Sequence, residues 1–95
     1  MSPASLSVES LLTEAAEIGE TWARDCANQL RAQDRELVGA WPGTVREARR
    51  RVLARLHASR VHLSVDTEGL QVLARAAYDA ARRSWAAVAE PDPES

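Results

Sequence analysis

Several residue types are scarce in this chain of 95 residues. Cysteine occurs once, at Cys26, which excludes a disulfide within the chain and any paired-cysteine metal or redox site. No apolar run approaches the ~18 residues that a membrane span requires, so we expect no membrane partner. The four glycines stand singly, at positions 19, 39, 43 and 69, which excludes a glycine-rich phosphate loop.

Phenylalanine and lysine are both absent, so arginine supplies the positive charge apart from two histidines. Apolar residues make up 45% of the chain, but 18 of them are alanine. An alanine side chain buries little apolar area when it enters a core. The composition therefore predicts a thin core, which association with further copies would extend.

Few side chains are candidates for catalysis or metal binding. His57 and His62 are five residues apart, which on a helix sets them about 140° apart around the axis and prevents a shared metal ion there. Cys26 falls on an apolar helical stripe beside Trp22, and the negative charge of Asp25 does not favour a thiolate. We therefore predict no enzymatic activity and no cofactor.

The tetrad Trp41-Pro42-Gly43-Thr44 divides the chain into two helical parts. Pro42 disfavours the helical conformation at Trp41, so a helix should end before Trp41. Thr44 stands three residues before Glu47, the spacing of a capping box at the start of a helix. Two interpretations of Trp41 remain: an exposed corner that binds a partner, or a side chain that closes one end of a helical core.

Apolar residues at helical spacing predict three helices, over residues 7–38, 45–63 and 67–89. The third has an unusually wide apolar face, which suits contact with two neighbours. Because short connections favour antiparallel neighbours, the fold class is predicted as all-α, an antiparallel three-helix bundle with a long first helix. Residues 7–89 would form one helical domain between a disordered N-terminus, 1–6, and a disordered acidic tail, 90–95.

The predicted first helix is longer than its neighbours can cover. At 1.5 Å per residue it spans about 48 Å, against about 29 Å for the second helix. Its apolar stripe is interrupted by Gln29 and Gln33 and resumes at Leu37. Either the helix breaks near residues 31–36, or the overhang and its glutamines face another subunit.

Charge is segregated along the chain, with −4 in residues 1–43, +5 in residues 44–85 and −3 in residues 86–95. The arginines of the second helix could bind phosphates. Against this, they wrap around the helix, no aromatic residue stands among them, and the whole chain is acidic. The other interpretation is that they pair with Glu14, Glu17 and Glu20 on the first helix, or with another subunit.

Together these features predict a small cytoplasmic protein–protein interaction module that associates with itself, most simply as a dimer, and serves as an adaptor, structural or regulatory subunit. The alternative is a nucleic-acid-associated regulator that uses the second helix. A third hypothesis is a bundle that binds a ligand between Trp22, Tyr78 and Trp85. The candidate interaction surface comprises Trp41, Arg46, Arg49, Arg50, Arg51, Arg55, Arg60, Gln29, Gln33 and Leu37.

Overall fold

A computed structural model describes residues 8–59 and 65–89, and in these ranges the chain forms three α-helices. Helix α1 spans Val8–Ala32, α2 spans Val45–Ser59 and α3 spans Thr67–Ala89. The predicted all-α bundle of three helices is confirmed, and α3 has the predicted bounds. The predicted disordered ends, 1–6 and 90–95, lie outside the described residues, as do residue 7 and the last predicted turn of the second helix, 60–63.

Helix α1 ends at Ala32, so the prediction of a helix extending to residue 38 is wrong, and the alternative of a break near residues 31–36 is confirmed. Asp34 adopts a left-handed conformation with φ of 58°. The N–H of Arg35 donates to the carbonyl of Leu30 at 2.9 Å, and the N–H of Asp34 donates to that of Arg31 at 3.0 Å. These two bonds are the C-terminal capping pattern that usually employs glycine, here with aspartate in its place.

Side-chain caps mark the starts of the other two helices. The Glu47 N–H donates to Thr44 Oγ1 at 3.1 Å, as the capping-box spacing predicts. The Glu47 carboxylate accepts a hydrogen bond from Arg51 Nε at 2.9 Å. At the start of α3, the Gly69 N–H donates to Asp66 Oδ1 at 2.7 Å. Each cap satisfies a backbone donor that has no partner within the helix.

The order of contacts along the helices gives the topology. Arg51 of α2 lies over the ring of Trp22, whereas Arg55, one turn later, reaches back to Glu14, so α2 runs antiparallel to α1. Leu73 lies beside Ala15, and further along α3 the backbone of Ala77 and Ala81 lies against Gly19. Helix α3 therefore runs parallel to α1, which gives an up-down-up bundle.

Helix α3 is the central element, because it packs on both α1 and α2 whereas those two contact each other only sparsely. This confirms the two neighbours predicted from its wide apolar face. Most of the buried hydrophobic residues in the described ranges are alanines. The larger buried side chains are Trp22, Val52, Leu56, Leu70, Leu73 and Trp85.

Helices α1 and α3 approach each other closely at Gly19. A Cβ atom added to Gly19 would collide with the carbonyl oxygen of Ala77 and lie 2.9 Å from the backbone nitrogen of Ala81. Backbone atoms inside a helix cannot rotate away as the end of a long side chain can. Gly19 is thus required by the spacing of the two helices, although glycine is unfavourable within a helix.

We expect Gly19→Ala to lower the free energy of unfolding by about 2 kcal/mol, because overpacking of two helix backbones outweighs the ~1 kcal/mol gain in helix propensity. Urea unfolding followed by far-ultraviolet circular dichroism measures this change. Asn28→Ala, at an exposed position of the same helix, is the control and should raise stability by a few tenths of a kcal/mol. A stabilising Gly19→Ala would contradict the close helix contact.

Candidate interaction surface

The side chain of Trp41 packs inward, into a cluster with Trp22, Tyr78 and Trp85. Its ring centroid is 5.1 Å from that of Trp22, 5.2 Å from that of Trp85 and 6.3 Å from that of Tyr78. The interplanar angles, 52–56°, are those of tilted aromatic pairs. Trp41 is half-buried, and we call these four residues the aromatic cluster. The interpretation that Trp41 closes one end of the core is confirmed.

The connection between α1 and α2 positions Trp41 in the aromatic cluster. Leu37 and Ala40, both half-buried, pack on the core, and the Ala40 N–H donates to the Leu37 carbonyl at 3.0 Å. Gly39 has φ of 71°, which turns the chain between them. Gly43 lies against the indole of Trp41, so a Cβ atom at position 43 would collide with the ring. The tetrad therefore closes one end of the bundle.

The position of Trp41 bears on the ligand-binding hypothesis. The space between Trp22, Tyr78 and Trp85, which a ligand would have to enter, is occupied by the indole of Trp41. Its Nε1–H is buried and has no acceptor among the described residues. A buried donor without a partner costs about 1–3 kcal/mol, which the tilted contacts of the Trp41 ring with three other aromatic rings have to offset. This packing counts against a ligand pocket inside the bundle.

The arginines of α2 separate into two groups on different faces of the helix. Arg51 and Arg55 lie towards α1. The guanidinium of Arg51 is 5.2 Å from the ring centroid of Trp22 and its Nε is 2.9 Å from a Glu47 oxygen. Arg55 lies 3.7 Å from a carboxylate oxygen of Glu14. Pairing of the second helix with the first is thus confirmed for Glu14, whereas Glu17 and Glu20 form no ion pair with another described residue.

The second group, Arg46, Arg49 and Arg50, is exposed on a face directed away from α1. These three side chains line an open depression of about 510 Å³ with Leu53. Arg50 lies 4.0 Å from Glu47, and Arg46 and Arg49 form no ion pair with any described residue. We call this group the basic patch. Three of the arginines therefore share one face, although the helix as a whole carries arginine around its circumference.

The remaining residues of the predicted surface differ in how exposed they are. Gln29 and Gln33 are exposed at the C-terminal end of α1, at the end of the bundle where α2 begins. Leu37 is half-buried against the core, so it is a packing residue of the connection. Arg60 lies outside the described residues.

An open groove between α1 and α2 was not predicted from the sequence. It has a volume of about 430 Å³ and we call it the α1/α2 groove. Its apolar floor comes from Ile18, Trp22 and Ala54, and it lies open because α1 and α2 contact each other only sparsely. One signal was available: Ala54 and Ala58 form a small-residue stripe opposite the core stripe of α2. Its lining residues are Glu17, Ile18, Thr21, Trp22, Arg51, Ala54 and Arg55.

Cys26 is half-buried and packs on the core. Burial raises the pKa of its thiol, and the nearby Arg51 lowers that pKa only in part. The neutral thiol is therefore favoured, as expected for a packing cysteine. Over residues 8–59 and 65–89, no three potential metal ligands come close enough together to hold an ion. In the same ranges, no helix combines the length and hydropathy that a bilayer crossing requires.

We expect Trp41→Ala to lower the free energy of unfolding by about 3 kcal/mol, because it removes the ring that contacts the other three aromatic residues. Trp41→Phe should cost less than half as much, since it keeps a ring and removes the unpaired N–H. Chemical unfolding followed by circular dichroism compares the two variants. Equal losses for Ala and Phe would show that ring packing at this position contributes little.

Comparison of the chain with models of protein families, with curated protein sequences and with solved structures found no match. Its function must therefore be argued from its own surfaces. Among the described residues, the α1/α2 groove has an apolar floor, and the basic patch has two arginines without an ion pair. A smaller depression, of about 240 Å³, lies beside Trp41 and Trp85.

Proposed function

We propose that this protein is a small protein–protein interaction module that associates with itself and acts as a cytoplasmic adaptor, structural or regulatory subunit. The observation that carries the proposal is the α1/α2 groove, where apolar side chains from two helices face solvent between charged walls. Protein interfaces have this arrangement, with an apolar centre inside a polar rim.

The thinness of the core supports the same proposal. Helix α3 is covered on two sides, but α1 and α2 have little contact with each other, and most buried residues are alanines. A partner lying over the groove would bury Ile18, which is half-buried in one copy, and Ala54, which is exposed. Each 100 Å² of apolar surface removed from water contributes about 2.5 kcal/mol before the cost of association.

No catalytic role forms part of the proposed function. The titratable groups of the groove are Glu17, Arg51 and Arg55, which are side chains suited to ion pairing at an interface. Burial raises the pKa of the Cys26 thiol, so its neutral form is favoured over the nucleophilic thiolate.

Sedimentation equilibrium of the full chain tests this proposal. We expect a self-associating species at concentrations on the order of tens of micromolar, with an affinity that falls only modestly with salt because the interface has an apolar centre. A chain that remains monomeric over this range, and that recovers no protein partner in a pull-down, would remove the basis for the proposed function.

The basic patch favours a second candidate function, binding of a nucleic acid backbone. Arg46, Arg49 and Arg50 lie on one exposed face at the start of α2, and two of them have no acidic partner among the described residues. Arginine is well suited to phosphate recognition because its planar guanidinium donates two parallel hydrogen bonds. The acidic balance of the whole chain opposes this function, so it ranks second.

A salt titration of binding to a random-sequence duplex tests the second candidate. If the basic patch binds phosphates, replacing its three arginines by alanine should reduce the slope of log K against log salt by roughly 2 to 3. The matched control replaces the exposed Arg75, Arg82 and Arg83 of α3 by alanine, which removes the same charge elsewhere. Equal effects of the two triple variants would mean that only net charge matters, and absence of binding at low salt would exclude the candidate.

A further inference from the structure

The walls of the α1/α2 groove carry opposite charges that are only partly neutralised within one copy. Glu17, on the α1 wall, is exposed and forms no ion pair with another described residue. Arg55, on the α2 wall, has a side chain that is 52% exposed, and it reaches Glu14 at 3.7 Å. A guanidinium has five N–H donors, so Arg55 can hold a second carboxylate while keeping the first. Each wall can still bind a partner of the opposite charge.

The groove is self-complementary in its charge. A two-fold axis that runs along the groove exchanges its walls, so that the acidic wall of each copy meets the basic wall of the other. Glu17 and Arg55 line the groove from opposite helices, so such an axis can set Glu17 of each copy against Arg55 of the other. The symmetry then produces this contact twice in one dimer.

We infer that the α1/α2 groove is a dimerisation surface, occupied by the same groove of a second copy, with Glu17 of each copy paired to Arg55 of the other. This inference rests on the proposed function, self-association, and specifies its surface and symmetry. The apolar floor supplies burial, and the reciprocal charge pairs fix which faces meet.

The side chains of the floor allow the close contact that such a dimer needs. Ala54 is exposed on the outer face of α2 and is small enough for a helix of the second copy to approach closely. Ile18 is half-buried, whereas the ring of Trp22 is already buried beneath the Arg51 guanidinium, so Ile18 and Ala54 supply the apolar contact. The centre of the dimer interface would thus be apolar, with Glu17 and Arg55 at its rim.

The other described surfaces suit a two-fold contact less well. The basic patch would face an identical patch, and three arginines against three arginines repel. The exposed valines of α3, Val72 and Val88, are sixteen residues apart and stand singly, which is normal for a protein surface. The α1/α2 groove therefore combines apolar area with opposite charges in a way that these faces do not.

Charge reversal at the two paired positions tests the inference. In a two-fold dimer, Glu17→Arg sets arginine against Arg55 twice. Arg55→Glu sets glutamate against Glu17 twice and also against Glu14 within each copy, so Glu17→Arg is the cleaner of the two variants. We expect each variant to weaken self-association at least about tenfold in sedimentation equilibrium, because one exchange creates two like-charge contacts. Unchanged circular dichroism would show that the fold is intact.

Mixing the two variants provides the decisive measurement. A heterodimer of the Glu17→Arg chain with the Arg55→Glu chain has one restored wild-type pair and one inverted pair, both attractive. We expect the mixture to associate with close to wild-type affinity, whereas each variant alone remains weakened. The single chain carrying both Glu17→Arg and Arg55→Glu should likewise recover a homodimer.

Matched variants on α3 serve as controls. Asp79→Arg and Arg75→Glu make the same charge changes in an exposed pair joined at 3.5 Å, and they should leave the affinity unchanged. Ala54→Glu should weaken the dimer by placing a charge in the floor, whereas Ala87→Glu, at an exposed position of α3, should not.

The outcomes separate the inference from the proposed function. The inference is overturned if Glu17→Arg and Arg55→Glu leave the affinity of the dimer unchanged, or if the weakened variants do not recover affinity on mixing. Self-association would still stand in either case. A wild-type chain that is monomeric at concentrations on the order of tens of micromolar overturns the proposed function itself, together with the inference.

Discussion

The approach of α1 to α3 at Gly19 determines how the other parts of the bundle are arranged. At this point the backbones are too close for any side chain on α1, and the facing residues of α3 are alanines. Helix α2 also packs on α3 but contacts α1 only sparsely, and the α1/α2 groove lies open between them. Glycine and alanine let the backbones of α1 and α3 approach closely, and their small side chains bury little apolar area.

The sequence was sufficient to predict the helical fold, because the signals were local. The apolar stripes, the Thr44–Glu47 spacing and the wide face of α3 gave three helices and a central position for the third. The end of α1 was predicted only as an alternative, a break near residues 31–36, because aspartate at position 34 performs a role usually given to glycine. Nothing in the pattern around Asp34 distinguishes a left-handed cap from an ordinary exposed helix position. The hydrogen bonds that decide between these two conformations are made by backbone groups.

The candidate surface was predicted less well than the fold, because its geometry depends on where neighbouring helices lie. Arg50 and Arg51 are adjacent in the chain, yet one belongs to the basic patch and the other lies over Trp22. Likewise, Leu37 was considered part of an overhang and instead packs on the core, because α1 ends earlier and the chain turns back. The α1/α2 groove arises because α1 and α2 contact each other only sparsely, which the apolar pattern within either helix does not reveal.

The aromatic cluster has a consequence for how this molecule is observed. The chain contains three tryptophans, and all of them lie within the cluster. Intrinsic tryptophan emission therefore reports on one end of the bundle alone. The opposite end, where Leu11, Leu56 and Leu73 meet, has no indole reporter. Unfolding that starts at that end would not change tryptophan emission, although amide hydrogen exchange would detect it. Agreement between the two probes therefore measures how cooperatively the two ends of the bundle unfold.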